Sequence, residues 1–542
     1  MIKVKWKGAV SVFLSAIMAM SLLAGCGSKN EGDQAAQASS QPAQTASQPA
    51  QTAEAGAKVS ETPIKISMFL QDSADQAISP DLPIIKEITN RTNVSFDFIP
   101  GPATEDQFRE KFNVTIASGS IPDVVISPYR DDMFKVSEQG IFEPLDESID
   151  KNAPNLKKLM GENPEIIKQL RSNDGKNYFL PFLGAVKTFK VWMVREDWLQ
   201  KLNLNKPVTL DDWYSMLKAF KEKDPNGNGK QDEIPYTTRN TKAGLLSFME
   251  AYRISGFEAN EQFFIEDNKV KYAYTDPRFK DAITYINKLY KEGLVDPEYT
   301  TNDTKVWLSR ITNEVSGACQ DTTARAYSLG GMIKAANPSS TASMAVVAPP
   351  KGPTGIQMTT SQMQPVRGFT AISANSKYKE EIVKLFDYFY GDEGSMLMNF
   401  GIEGQTYNMV DGKPQYTDAI TKDSQGRSIL SMLNVYGHRE WAYKQDVGYE
   451  DALLDDQFVK YRNDMEQYIK PTIPALSFTS DERDVINSKY TEIQTYKDEM
   501  IDKFIMGKEP LTNLDNFMNK IKSMGIDDVL KVEQAAYDRY NK

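Results

Sequence analysis

Cysteine and histidine are nearly missing: two Cys and one His serve a chain of 542 residues. Cys26 closes an N-terminal apolar segment, which leaves Cys319 alone in the body and rules out a disulfide framework there. The lone Cys319 reads as a small buried apolar residue, not a nucleophile. With His438 the only imidazole, a histidine zinc cluster is impossible, and a Ser-His-Asp triad would have to use that residue. No phosphate-cradling loop of the P-loop type occurs. Beyond residue 25 no apolar run approaches the length of a membrane span. Net charge is −11, or about −14 once the three leader lysines are set aside, which argues against nucleic acid and against an amphipathic membrane-surface role.

What the N-terminus does have is Lys3, Lys5 and Lys7, then an apolar run from Ala9 to Ala24, then Leu23-Ala24-Gly25-Cys26. A basic n-region, an h-region too short to span a bilayer and small residues at a cleavage point predict a secretory signal over residues 1–25. The last four residues resemble the bacterial lipoprotein box, which implies that Cys26 heads the mature chain and carries its acyl (palmitate) chains. At about 0.8 kcal/mol per buried methylene, several chains make a lasting anchor. Residues 26–60 after that Cys are mostly Ser, Gln, Ala, Thr, Gly and Pro without an aromatic, a composition that predicts a disordered tether with a reach of roughly 30 Å. The expected location is the extracellular face of the cell membrane.

From about Glu61 to Lys542 the chain is too long for one core and suits two lobes. Ile64 to Leu70 alternates as a strand, Pro83 to Thr92 has helical spacing, Val94 to Ile99 is a second strand, Asp106 to Ala117 a helix and Asp123 to Ser127 a short apolar strand. Strands interleaved with helices predict the α/β class, with mostly parallel sheets flanked by helices. Ligands of such sheets bind beyond the carboxyl ends of strands, so Gln71 and Asp72 in one loop and Tyr129 and Arg130 in another are candidates for a site wall. Thr209 is a reasonable N-cap, and Trp213 and Phe220, seven apart, suit a core stripe.

One stretch has the pattern of a metal loop. Asp224, Asn226, Asn228 and Asp232 put oxygen side chains at positions 1, 3, 5 and 9 of an EF-hand type loop, with Gly229 at position 6 and the Lys230 carbonyl at position 7. Calcium takes six to eight oxygens at about 2.4 Å. Position 12 is Pro235 instead of the bidentate Glu, so Asp232 or Glu233 must complete the shell. A structural Ca2+ is expected here, because the loop offers no open coordination position for chemistry.

Arg195 to Leu199, Thr209 to Trp213, the 224–235 loop, Gly391 to Gly394, Gly401 to Tyr407 and the tail from Phe504 closely resemble the family 1 extracellular solute-binding proteins of ABC sugar importers. The likeness is to the LipO-like lipoproteins and the alginate-oligosaccharide-binding proteins within it. It implies a two-lobed periplasmic-binding-protein-like fold of type II, with hinge crossovers near 182–188, near 355–367 and after Pro414. The lobes would be 61–183 with about 360–415, and 184–359 with about 416–542. It further implies an oligosaccharide ligand, ABC permease partners with a separate ATPase, and a monomer. Gln320 and Asp321 fall where relatives place a cleft strand, Arg367 near the second crossing, and Tyr407 in a matching motif. Sugar rings pack their C–H faces on aromatics and their hydroxyls on polar planes, which makes Trp192, Trp307 and Trp441 candidates for stacking and places His438, in the run 436–443, in the same neighbourhood.

Other classes remain. A secreted carbohydrate-active hydrolase needs two carboxylates, which composition cannot exclude, although no hydrolase motif occurs. A surface sensor or adhesin would share fold and cleft. The expectation from the sequence is a binding protein, not an enzyme.

Overall fold

A computed structural model describes residues 58–184, 190–239, 241–254, 262–361, 365–422, 427–446, 448–449, 456–471 and 473–542. The leader, Cys26 and the tether up to residue 57 lie outside the described residues. Strands β1 (Ile64–Gln71), β2 (Val94–Gly101), β3 (Val124–Ser127) and β4 (Phe179–Leu183) come first. There follow β5 (Lys190–Arg195), β6 (Ile234–Tyr236), β7 (Phe263–Glu266), β8 (Lys269–Tyr272), β9 (Ser316–Thr322) and β10 (Met344–Val347). The last are β11 (Thr359–Ser361), β12 (Val366–Ile372), β13 (Tyr407–Val410), β14 (Lys413–Tyr416) and β15 (Ile469–Pro471).

Alternation in β1 buries Ile66 and Met68 on one face, and Pro83 pre-sets the first turn of the helix Pro83–Thr92, which buries Ile84, Ile85 and Ile88 against that sheet. The helix ends at Asn93, whose left-handed φ of 62° turns the chain into β2. Five strands assemble in the order β2-β1-β3-β12-β4 around the first core. A four-stranded sheet in the order β10-β5-β9-β6 carries the second, where Trp192, Trp213, Tyr236 and Phe248 interlock with ring centroids 4.7 to 6.5 Å apart. The helix Leu210–Glu222 that supplies Trp213 starts in a full capping box, Thr209 accepting from the Asp212 amide and Asp212 from that of Thr209. The fold is therefore α/β with two lobes, each built on its own sheet.

The sheets are mixed where mostly parallel ones were expected. β1 pairs parallel with β2 and β3, because helices return the chain between them, but β12 runs antiparallel to both β3 and β4. In the four-stranded sheet only β6 and β9 pair parallel. The antiparallel strands are those entered from the other lobe, where no crossover helix is needed.

Those entries lie side by side. The chain leaves the first lobe after β4 and enters the second at Lys190, then returns between β11 and β12. The Gly184 amide donates to the Pro365 carbonyl at 3.0 Å, and the Thr359 hydroxyl to the Lys190 carbonyl at 3.2 Å. β11 also pairs with β15, while Leu183 exchanges backbone hydrogen bonds with Tyr443 and Gln445. Assigning all of 416–542 to the second lobe is corrected here: Trp441, Ala442 and Tyr443 are buried in the first core, because residues 443–445 lie along β4. Ile420, Met432, Leu433 and Tyr449 form a satellite core with Phe400 and Tyr407.

Candidate ligand-binding site

Strand directions decide what meets at the hinge. In the first sheet the carboxyl ends of β1, β3 and β4 and the amino end of the antiparallel β12 share one edge, so Gln71-Asp72, Pro128 to Arg130, Phe182 and Arg367 converge there. In the second sheet the amino end of β5 and the carboxyl ends of β6 and β9 bring Lys190, Thr238-Arg239 and Gln320-Asp321 together. The chain leaves the first edge at Gly184 and resumes at the second at Lys190, the intervening 185–189 lying outside the described residues, and such a change of sheet is a topological switch point of the kind where open α/β sheets bind ligands.

At the first edge lies a cavity of about 360 Å3 whose polar lining includes Gln71, Asp72, Asn434, Arg367, Arg439 and Glu440. Asp72 is fully engaged: it accepts from the Ser73 amide at 2.8 Å, the Ile78 amide at 3.0 Å and the Arg439 guanidinium at 2.8 Å. Arg439 is buried and also donates to the carbonyls of His438, Asn434 and Gln76. This clamp sews the loop after β1 to residues 434–439. Glu440 reaches the mouth of the cavity, and burial of its surroundings pushes its carboxyl above the usual range, against the pull of Arg367. Gln71 donates to the Ala103 carbonyl and accepts from the Tyr129 hydroxyl at 3.3 Å, which places Tyr129 at the rim.

At the second edge a smaller hollow is lined by Lys190, Thr238, Arg239, Gln320 and Asp321. Arg239 grips Asp321 through two hydrogen bonds of 2.7 and 3.0 Å. The Gln320 carbonyl accepts from Ser247, and its buried amide nitrogen has no protein partner among the described residues.

Several expected contacts fall elsewhere. Trp192 and Trp307 are fully buried, Trp192 in the second core and Trp307 beside Ile311 and Cys319, so neither offers a face to a ligand. Tyr407 is packed on Phe400 at 5.9 Å, away from the cavity. His438 is buried under the cavity against the Tyr443 hydroxyl at 3.0 Å, and burial drives its pKa down to about 3, with Arg439 adding to the effect. Trp441 borders the cavity but is only 1% exposed, packed among Phe96, Phe98 and Phe389 with ring centroids 5.3 to 6.2 Å away. Arg130 stacks on Phe134 and crosses to the other lobe. Asn434, Glu440, Lys190 and Arg239 were not singled out from the sequence. Glu440 was adjacent to residues that were, whereas Arg239 is identified only by its contact with Asp321.

The 224–233 loop leads from the helix Leu210–Glu222 into β6. The Asp224 carboxylate gathers the amides of Gly227, Asn228 and Gly229 at 2.9 to 3.1 Å, and the Asn228 side-chain amide donates to Asp232 at 3.0 Å. Both Glu233 oxygens are buried without a partner, and burial together with Asp224 and Asp232 pushes that carboxyl up. Among the described residues no three acidic, His or Cys side chains form a ready-made metal cluster. The donor set is instead spread over carboxylates, two Asn amides and the Lys230 carbonyl, and an orphaned carboxylate facing two others fits a divalent cation.

Two lobes, side-by-side crossings and a polar cavity at the switch point define a hinged solute-binding protein. The chain belongs to the family described as bacterial extracellular solute-binding protein, whose model matches residues 73–396. It is 26% identical over 499 residues to the fructooligosaccharide ABC transporter substrate-binding protein FusA of Streptococcus pneumoniae serotype 4 (strain ATCC BAA-334 / TIGR4), covering 86% of this chain and 89% of that one. To lipoprotein LipO of Bacillus subtilis (strain 168) it is 26% identical over 472 residues, 84% and 88% of the two chains. The alginate-binding protein AlgQ2 without calcium ion has the same fold, with a TM-score of 0.69 at 26% identity, covering 89% of this chain and 99% of that one.

Proposed function

We propose that this chain is the substrate-binding subunit of an ABC importer, which captures an oligosaccharide between its lobes and delivers it to a membrane permease. The observation that supports the reading is the passage of the chain from the first sheet edge at Gly184 to the second at Lys190, with a polar cavity on each edge and the larger on the first. FusA, an ABC substrate-binding protein for fructooligosaccharides, aligns with most of this chain and supports it. Closure by hinge motion would hold the sugar, and a ligand shifts that balance only by its differential affinity for open and closed forms.

Anchoring through Cys26 belongs to the same reading, and the lipoprotein LipO supports it. So does a structural Ca2+ held by Asp224, Asn226, Asn228, the Lys230 carbonyl, Asp232 and Glu233. One solved structure of FusA is that of an EF-hand mutant, and AlgQ2 has been solved without calcium ion. Bound there, the cation would neutralise Glu233 and pin the loop to β6. A binding role also suits Asp72, whose oxygens are committed to amides and a guanidinium and leave Glu440, among the described residues, without a second free carboxylate in the cavity for hydrolysis.

The test is calorimetry of the purified body against an oligosaccharide panel, with reducing-end assays in parallel. Micromolar binding, about −8 kcal/mol, without new reducing ends is expected. Release of shortened sugar would overturn the reading.

A further inference from the structure

Three guanidiniums at the two sheet edges have a carboxylate beside them, and a fourth, Arg130, is taken up by the Leu476 carbonyl and the Ser477 hydroxyl. Arg439 is bound to Asp72 at 2.8 Å, Arg239 to Asp321 at 2.7 Å, and Arg367 stands beside Glu440 in the wall of one cavity. A carboxylate on an incoming sugar is stripped of water on entry and is held only where a cation is not already neutralised. The Arg439 Nε and Trp441 Nε1 hydrogens have no partner among the described residues, but both atoms are sealed from solvent. The charged group that does face the opening without a hydrogen bond among the described residues is an acid, Glu440. Its oxygens can only accept, which suits hydroxyl groups and repels another carboxylate.

Resting on the reading above, we infer that the site selects neutral, hydroxyl-rich oligosaccharides over uronate-containing ones, and that Glu440 is a specificity-determining acceptor for sugar hydroxyls. The carboxylate pairs with two adjacent hydroxyls in the way planar polar groups recognise sugar edges, while the Asn434 amide and Gln71 flank it. Leu430, an exposed side chain in the same lining, supplies apolar surface.

The experiment is calorimetry on the purified full-length body with four neutral trimers (kestose, maltotriose, cellotriose, xylotriose) and two acidic ones (trigalacturonate and an alginate trimer), for the natural chain and Glu440→Gln. The expected result is micromolar binding of at least one neutral trimer, insensitive to salt between 50 and 500 mM, and at least 100-fold weaker binding of both acidic trimers. Glu440→Gln should weaken the neutral ligand about tenfold and strengthen the acidic trimers, with an unchanged melting temperature in the absence of sugar showing that it is folded. Tighter binding of an acidic trimer would overturn the selectivity and leave the importer reading standing. Neutral binding that Glu440→Gln does not change would overturn the role of Glu440, and binding of neither set would overturn the importer reading with it.

Discussion

The Arg130 guanidinium donates to the Leu476 carbonyl at 3.0 Å and to the Ser477 hydroxyl at 2.7 Å, joining the loop after β3 to the segment that precedes the C-terminal helices. Asn173 donates to the Phe478 carbonyl at 3.0 Å and Tyr540 to Glu165 at 2.6 Å across the same junction. Burial lowers Arg130 to about 10, which leaves it cationic at neutral pH. These contacts clasp the lobes together. Arg130→Ala should therefore enlarge the radius of gyration of the sugar-free protein in solution scattering and cost about 1–3 kcal/mol in urea unfolding. An unchanged radius would mean that Asn173 and Tyr540 hold the clasp alone.

Glu233 stores a cost that the proposed calcium would remove. Its carboxyl is raised by burial, Asp224 and Asp232, so without an ion its negative charge at neutral pH opposes folding. Calcium should raise the melting temperature and chelation lower it, with no change in the chemistry of any sugar present. In chelator, Glu233→Gln should melt above the natural chain, and its response to calcium should shrink. Equal calcium shifts in both proteins would remove Glu233 from the coordination shell.

His438 makes a prediction about acid. Folded, its pKa lies near 3, because burial and then Arg439 disfavour the imidazolium, whereas unfolded it titrates near its ordinary 6.5. Between those values the unfolded chain binds a proton that the native one refuses. Stability is thus fully present above pH 6.5 and falls as the pH drops toward 3, by up to about 1.4 kcal/mol per unit from this group. His438→Gln should flatten the loss between pH 6.5 and 4.5 relative to the natural chain. Parallel pH profiles would show that the imidazole is not the group responsible.

How far the sequence could be read depended on how far apart the partners lie in it. β1, the helix Pro83–Thr92 and the Thr209 capping box are set by neighbours within a few residues, and each was legible. The switch-point rule also pointed to Gln71 and Asp72, which line the cavity. Asp72 meets Arg439 across 367 positions, and Arg130 meets Leu476 across 346, so nothing local could indicate that one is a clamp and the other a clasp. Trp192 and Trp307 failed as stacking rings for a different reason: a tryptophan on an apolar strand or helix face has the same surroundings in sequence whether that face is core or cleft.

Glu533 carries the opposite pH signature. It sits on the helix Ile526–Tyr540, almost fully buried, near a Glu482 that Arg539 already holds through bonds of 2.9 and 2.6 Å. Burial, and secondarily Glu482, pushes its carboxyl up to about 8. The native chain keeps this proton while the unfolded chain releases it near 4.5, so stability is greatest below pH 4.5 and is lost as the pH rises toward 8. Glu533→Gln keeps the shape without the charge. It should be close to neutral in urea unfolding at pH 4.5 and stabilising at pH 8.5, with the gap opening by at most about 1.4 kcal/mol per unit. A gap that does not change with pH would mean that Glu533 is ionised in the folded protein and that Arg539 is shared between both carboxylates.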